Sequence, residues 1–535
     1  MFLPLIVATI ALLGPYLYSK LRDKRFKQYA FFPQMPTSLI LGHLKTMDSF
    51  IRAGKPNGHP DLAFAAMSEK LGRPPLMFVD LRPFGPPMVV VRSHEVAEQV
   101  SKASKLFPHS LPKMPQVYDH MVHVTGRTSI LAAHGEDWKL LRRRFNAGFA
   151  HQHLITSLSY ILEKSFAFLS HLDSFAHTGQ PFSLVLLTGN LTFDIISGVV
   201  MDFDFGAQNV GEPGEFIRAY HELFQTYTSE QVDLPWYFTP RTEWKRRRLT
   251  KRVRNTLGKI VRDAYANRQS ETTKSQSILS LSLLNDADTL STQAVDEACD
   301  QLSTFLFAGH DTTSILLSWI FYELSRTPHA LKALRDELDH IFGPDRNPSA
   351  VRDKLLSGGG QDLLHRMTYT AAVIKETLRL WPPAGTARMT KPGAGLKVQT
   401  STGEYTLEGV NVYNCAIMIQ RDPDVYGDTA NDFVPERWLH NAADQIPKSA
   451  WRAFERGPRN CIGQELANLE ARVVVALVAR RYDFVKVGLG ELILDEAGNP
   501  ILDDRGYFKV ASEMYPTRQV TPKPVDGMMV RVIVR

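Results

Sequence analysis

The chain opens on an uncharged apolar run, MFLPLIVATIALLGPYLY, that stops just before the basic stretch KLRDKRFK. The prolines of FFPQMPTSLILGH follow, and from about Ser38 onward apolar positions recur mainly at helical spacing. That period is clearest in DWKLLRRRFNAGF, LTGNLTFDIISGVVM, AVDEACDQLSTFLFAGHDTTSILLSWIFYELSR, HALKALRDELDHIFG, YTAAVIKETLRL and ELANLEARVVVALVARRY. Strand-like runs are short, such as PPMVVVRS and, near the end, GMMVRVIVR. The pattern predicts an α-rich α+β fold. Polar loops such as NRQSETTKSQS and LLSGGGQ separate some helices, but no internal repeat and no linker divides the domain. The expected organisation is a transmembrane anchor over 1–18, a basic and proline-rich hinge over 19–37, and one domain over 38–535.

A run of about 18 residues, rising about 1.5 Å each, is near the lower limit for crossing a bilayer. Positive residues follow the run and none precedes it, which predicts a cytosolic domain. A cleaved signal would carry its basic residues first. The rest of the 535 residues, 44% hydrophobic and 22% charged overall, has ordinary globular composition. Three cysteines, Cys299, Cys415 and Cys461, are too few and too scattered for a disulfide framework and fit a reducing compartment. The net charge of +6 is concentrated in RTEWKRRRLTKRVR, with eight Lys or Arg in fourteen residues. No nucleic-acid recognition fold accompanies it, so the stretch is expected to be a solvated helix face or a contact with anionic lipid. Dinucleotide, phosphate-loop, zinc-protease and nucleophile-elbow motifs are all missing, so electrons for any redox chemistry must come from elsewhere.

One cysteine has unusual surroundings. In FERGPRNCIG, Gly457 and Gly463 allow tight turns and a close approach by a flat partner, directly ahead of a helix. Backbone N–H groups and the dipole at that helix start favour negative charge, and so the thiolate that ligates metals. Arg459 adds a cation suited to a carboxylate. Together Phe454, Gly457, Arg459, Cys461 and Gly463 match the haem-binding signature FxxGxRxCxG, and the chain resembles the cytochrome P-450 superfamily.

The resemblance runs from about residue 38 to the end. KETLRL supplies Glu376 and Arg379 one turn apart, and DFVPERW supplies Arg437, which the resemblance joins to that pair as a buried triad. FAGHDTTS matches the oxygen-activation motif. By its residues alone, Gly309 is expected to weaken the helix in its middle, and Thr312 to bond back to a carbonyl one turn earlier, opening room for water or dioxygen. The resemblance implies that Thr312 holds dioxygen and its water and that Asp311 relays protons. His310 falls on another face and reads as structural. In DWKLLRRRF, Trp138 and Arg142 are implied to reach a haem propionate, and in WPPAGTARMT so is Arg388. Phe454 and Arg459 complete the implied cofactor contacts, with Cys461 as the iron ligand. Gln420 stands where many relatives have His.

The resemblance therefore implies a haem b monooxygenase, single-pass in the endoplasmic reticulum membrane, with its catalytic domain cytosolic. It would use dioxygen and electrons from a separate NADPH-cytochrome reductase, docked near Lys139, Arg143, Arg452 and Arg456, to oxidise a small lipophilic substrate. The overall look is most like fungal secondary-metabolite enzymes of the mycotoxin type. Alternatives are a fatty-acid or xenobiotic hydroxylase, an isomerase or dehydratase on the same fold, a non-catalytic haem-binding protein, and a haem-free membrane scaffold.

Overall fold

The run PPMVVVRS forms the strand Met88–Val91, every residue of it buried, at the centre of a four-stranded sheet. It pairs antiparallel with Leu76–Val79 and parallel with Asn411–Asn414, which is antiparallel to Thr386–Met389. Both faces are covered: Phe32, Phe78 and Val89 lie in one apolar cluster, and Phe64, Met67 and Val90 in another. A strand buried on both sides reads as a continuous apolar run rather than an alternating one.

The computed structural model describes residues 2–211, 213–227, 238–267, 277–283 and 290–535, without the side chains of 2–12, 116–118 and 440–441. Nearly all of the loop NRQSETTKSQS lies outside these residues. The chain divides into two interleaved compact units. The first comprises 1–114, 385–425 and 448–460, and the second 115–384, 426–447 and 461–535.

The first unit takes in residues that the sequence assigned to a hinge. Its first helix, Phe2–Phe26, continues through the basic stretch. Arg25, in the last turn, is buried, lies 2.7 Å from the Asp80 carboxylate and donates to the carbonyls of Leu39 and Arg82. Tyr29 and Phe32 belong to the sheet's apolar cluster. Folding thus starts at about Arg25 rather than Ser38: spaced aromatics among prolines look like a linker until a sheet face covers them. The side chains of the apolar run up to Leu12 lie outside the described residues. Among the described residues, the helix long and apolar enough to cross a membrane is Leu184–Met201, 72% of it buried inside the fold.

The second unit is built around the helix Thr292–Arg326, whose N-cap Ser291 accepts a hydrogen bond from the Ala294 N–H. Leu184–Met201 packs along it. Thr192 donates to the His310 carbonyl at 2.8 Å and Thr188 to that of Ser314 at 3.2 Å. At Gly309 a Cβ would lie 2.5 Å from Ile196 Cγ1. The helix runs unbroken through this glycine, so its role is close helix approach rather than the expected weakening. GMMVRVIVR forms Met529–Val534, the central strand of a sheet with Phe182–Ser183 and Tyr482–Lys486.

Candidate active site

The loop ahead of the helix Gln464–Ala479 is held by groups of the first unit up to Asn460. Gly457 has φ +79°, and a Cβ there would lie 2.2 Å from the Ser101 carbonyl oxygen, so only glycine lets the loop pass this close. Glu455 is also left-handed. Arg452 pairs with it, and Ser101 Oγ and Asn414 Nδ2 donate to it at 3.2 and 3.1 Å. Gln420 Oε1 accepts from the Arg452 N–H at 2.6 Å, so the departure from histidine still supplies a hydrogen bond to this loop.

Arg452 itself is not on the surface. Its guanidinium is buried against Glu98, at 2.9 Å, and against the Ala97 carbonyl. It therefore drops out of the expected docking set, because a single sequence does not show that Glu98 and Glu455 converge on it. Arg456 is also paired with Glu98; Lys139, 3.3 Å from the Glu136 carboxylate, and Arg143 are exposed.

Cys461 is exposed, three residues before the helix, whereas Cys299 and Cys415 are buried. Burial pushes the Cys299 thiol up to about 11 and that of Cys415 well above its ordinary value, which suits neither for ligation. Trp138 and Arg142 share one face of the helix Gly135–Asn146. Trp138 is buried, and Arg142 Nε donates to Asn146 Oδ1 at 2.9 Å. Burial lowers the affinity of Arg142 for its proton, and a negative charge on Cys461 opposes that shift, so the guanidinium and the sulfur feel one another. In the first unit, Arg388 is fully buried on Thr386–Met389 and donates to the Leu111 carbonyl at 3.2 Å. Arg459 is also buried, and the half-buried Phe454 meets the Trp451 ring edge-on. Within the second unit, an exposed thiol at a helix start together with the Trp138 indole and the Arg142 guanidinium is a donor set that fits haem b, with its iron and carboxylates.

The triad forms within the second unit. Arg379 grips the buried Glu376 carboxylate through two N–H groups, at 2.8 and 2.9 Å, and Arg437 Nε adds a third bond at 3.0 Å. Trp438 Nε1 and the Val434 N–H, each at 2.9 Å, complete it, a role for Trp438 that the sequence reading did not assign. Burial alone would raise the affinity of Glu376 for a proton; the charges and hydrogen bonds of Arg379 and Arg437 outweigh it, and the carboxyl stays below its ordinary range.

On the long helix Thr312 Oγ1 donates to the Ala308 carbonyl at 2.7 Å, the back-bond expected from its spacing. Asp311, its neighbour, turns to Thr521 and Lys523. No motif pointed to these two, which lie more than two hundred residues along the chain.

A family model described as Cytochrome P450 matches residues 33–496. The cytochrome P450 monooxygenase acrF of Aspergillus aculeatus is 29% identical, over 80% of this chain and 87% of its own length. The cytochrome P450 monooxygenase polC of Polytolypa hystricis is likewise 29% identical, over 87% and 84%. A bifunctional cytochrome P450/NADPH–P450 reductase of Gibberella moniliformis is 31% identical, over 57% of this chain and 26% of its own. Among solved structures, the haem domain of cytochrome P450DA superposes with a TM-score of 0.72 at 19% identity, covering 94% of this chain and 98% of that one.

Proposed function

The chain belongs to the cytochrome P450 family of haem b monooxygenases, and from that premise we propose that it oxidises a small lipophilic substrate with electrons from a separate NADPH-cytochrome reductase. The observation that carries the assignment is the exposed Cys461 thiol at the head of Gln464–Ala479, in a chain whose other two cysteines are buried.

Cys461 is the proposed iron ligand. On the family resemblance, Trp138, Arg142, Arg388 and Arg459 are proposed as residues that bind the haem carboxylates, and Phe454 as one that packs beside the cofactor. Haem b, when bound, supplies the iron that activates dioxygen. Thr312 orients a water through its hydroxyl, and Asp311 relays protons to it. The Glu376–Arg379–Arg437 triad keeps its own unit in one arrangement, because loss of either arginine leaves a buried charge underpaired.

The apolar run over 1–18 is proposed as a single-pass anchor in the endoplasmic reticulum membrane, with the domain cytosolic. The proposed substrate is a secondary metabolite, the class implied by the resemblance to fungal enzymes, and the monooxygenase relatives that match along most of the chain are fungal; the fused relative supports electron supply from an NADPH-dependent reductase.

Labelled dioxygen tests the reaction class. Metabolites that accumulate in a deletion strain, supplied to the enzyme with reductase and NADPH, should gain one labelled oxygen atom. A product isomerised or dehydrated without label would instead place the chain among the non-oxygenating alternatives.

A further inference from the structure

Asp311 stands beside Thr312 in sequence, yet its carboxylate is engaged by the far end of the chain. Thr521 donates its hydroxyl to Oδ2, and Lys523 Nζ lies 2.6 Å from Oδ1. The carboxylate is 2% exposed and the lysine side chain 21%, so the ammonium is the wetter end of the pair. Lys523 also lies over the Phe224 ring, 5.5 Å from its centroid, which fixes it from a second direction.

The segment that presents these side chains is closed on itself. The Thr517 N–H donates to the Lys523 carbonyl at 2.7 Å, the Lys523 N–H to that of Thr521 at 2.8 Å, and the Val525 N–H to that of Tyr515 at 3.1 Å. Thr521 and Lys523 are therefore offered to Asp311 together, by a loop beyond the residues the family model matches.

The other titratable neighbours are neutral near pH 7. Burial lowers His310 to about 4 and His221 below its ordinary value, and raises Tyr220 well above its own. Lys523 thus supplies the cation of this cluster. A buried pair of this kind contributes little net stability, since desolvation offsets its attraction. Its effect is instead on where the carboxylate points.

We propose that Lys523, assisted by Thr521, is a positioning residue for the oxygenase reaction: it holds the buried Asp311 carboxylate turned toward the wetter, lysine end of the pair, the side from which protons reach it. The proposal rests on the monooxygenase reading. It assigns no bond-making step to Lys523, which acts through Asp311.

The test compares Lys523→Met, Lys523→Arg, Asp311→Asn and Lys523→Met with Asp311→Asn in the haem-loaded enzyme. Lys523→Met should lower NADPH-driven kcat about tenfold, less than the roughly 10²–10⁴-fold of a lost proton-transfer group, because Asp311 itself remains. KM and turnover driven by added peroxide, which brings its own protons, should hold. Lys523→Arg, which keeps the charge, should recover most of the rate. With Asn at 311, Lys523→Met should change kcat less than about twofold. Denaturant unfolding supplies a readout independent of turnover: the two substitutions should be non-additive at neutral pH. Wild-type kcat in Lys523→Met, equal losses with Asp or Asn at 311, or failure of Arg to restore the rate would each overturn the proposal. If the wild type itself consumes no NADPH with reductase, the monooxygenase reading fails as well; if it turns over and Lys523→Met matches it, only the present proposal fails.

Discussion

His310 shows how a single residue carries two readings that only its surroundings separate. The ring is buried among Phe193, Tyr220 and Phe224, with centroids 5.4 to 5.9 Å away, and Nδ1 lies 2.7 Å from the Leu306 carbonyl oxygen. That agrees with the structural role its position on the helix predicts, beside the motif but not part of it. Burial depresses its affinity for protons from the ordinary 6.5 to about 4. Between those values the folded chain binds fewer protons than the unfolded one, so His310 makes stability fall as the pH drops through that window. His310→Gln should flatten the decline, by up to about 1.4 kcal/mol per pH unit. Denaturant unfolding at pH 7 and 5 measures it, and parallel losses in both proteins would contradict the assignment. The signature residues around Cys461 were legible because their spacing is fixed within ten positions. Lys523 and Thr521 were not, since nothing local marks a side chain whose partner lies on a distant helix.

At the scale of elements, periodicity located the helices and strands but not what they touch. The long helix, the helix Gln464–Ala479 and the strands Met88–Val91 and Met529–Val534 all stand where the apolar pattern placed them. Gly309 was misjudged because helix propensity is a property of one helix, whereas its packing belongs to two. The signs of the two accounts differ. Propensity alone predicts that Gly309→Ala stabilises the helix by about 1 kcal/mol. Overpacking against Ile196 predicts a loss of about 1–3 kcal/mol. We expect the loss, with partial recovery on Ile196→Val, and a stabilised Gly309→Ala would restore the simpler reading. The hinge was misjudged for a related reason. Arg25, Tyr29 and Phe32 carry no periodic signal, and their burial depends on Asp80 and the sheet, far along the chain.

For the whole molecule the charge pattern matters more than the net charge. Lys139 and Arg143 are exposed at the helix that carries Trp138 and Arg142, whereas Arg452 is committed to Glu98 and Glu455. Reversing Lys139 and Arg143 to Glu should slow reduction by the reductase, as high salt does to the native protein, because attraction between exposed charges is screened over about 10 Å at 0.1 M. Turnover driven by peroxide should be spared, and equal loss in both assays would remove the docking argument. Arg452→Glu should disturb the cysteine loop instead, through its buried contacts.

The claim on which these expectations depend is that Cys461 binds the haem iron. Its most direct test is the carbon monoxide spectrum of the reduced protein, recorded for Cys461→Ser, Cys299→Ser and Cys415→Ser under the same conditions. The red-shifted band of a thiolate-ligated haem should vanish in Cys461→Ser and persist in the other two. Survival of that band in Cys461→Ser, or its loss in either of the others with folding intact, would contradict the assignment.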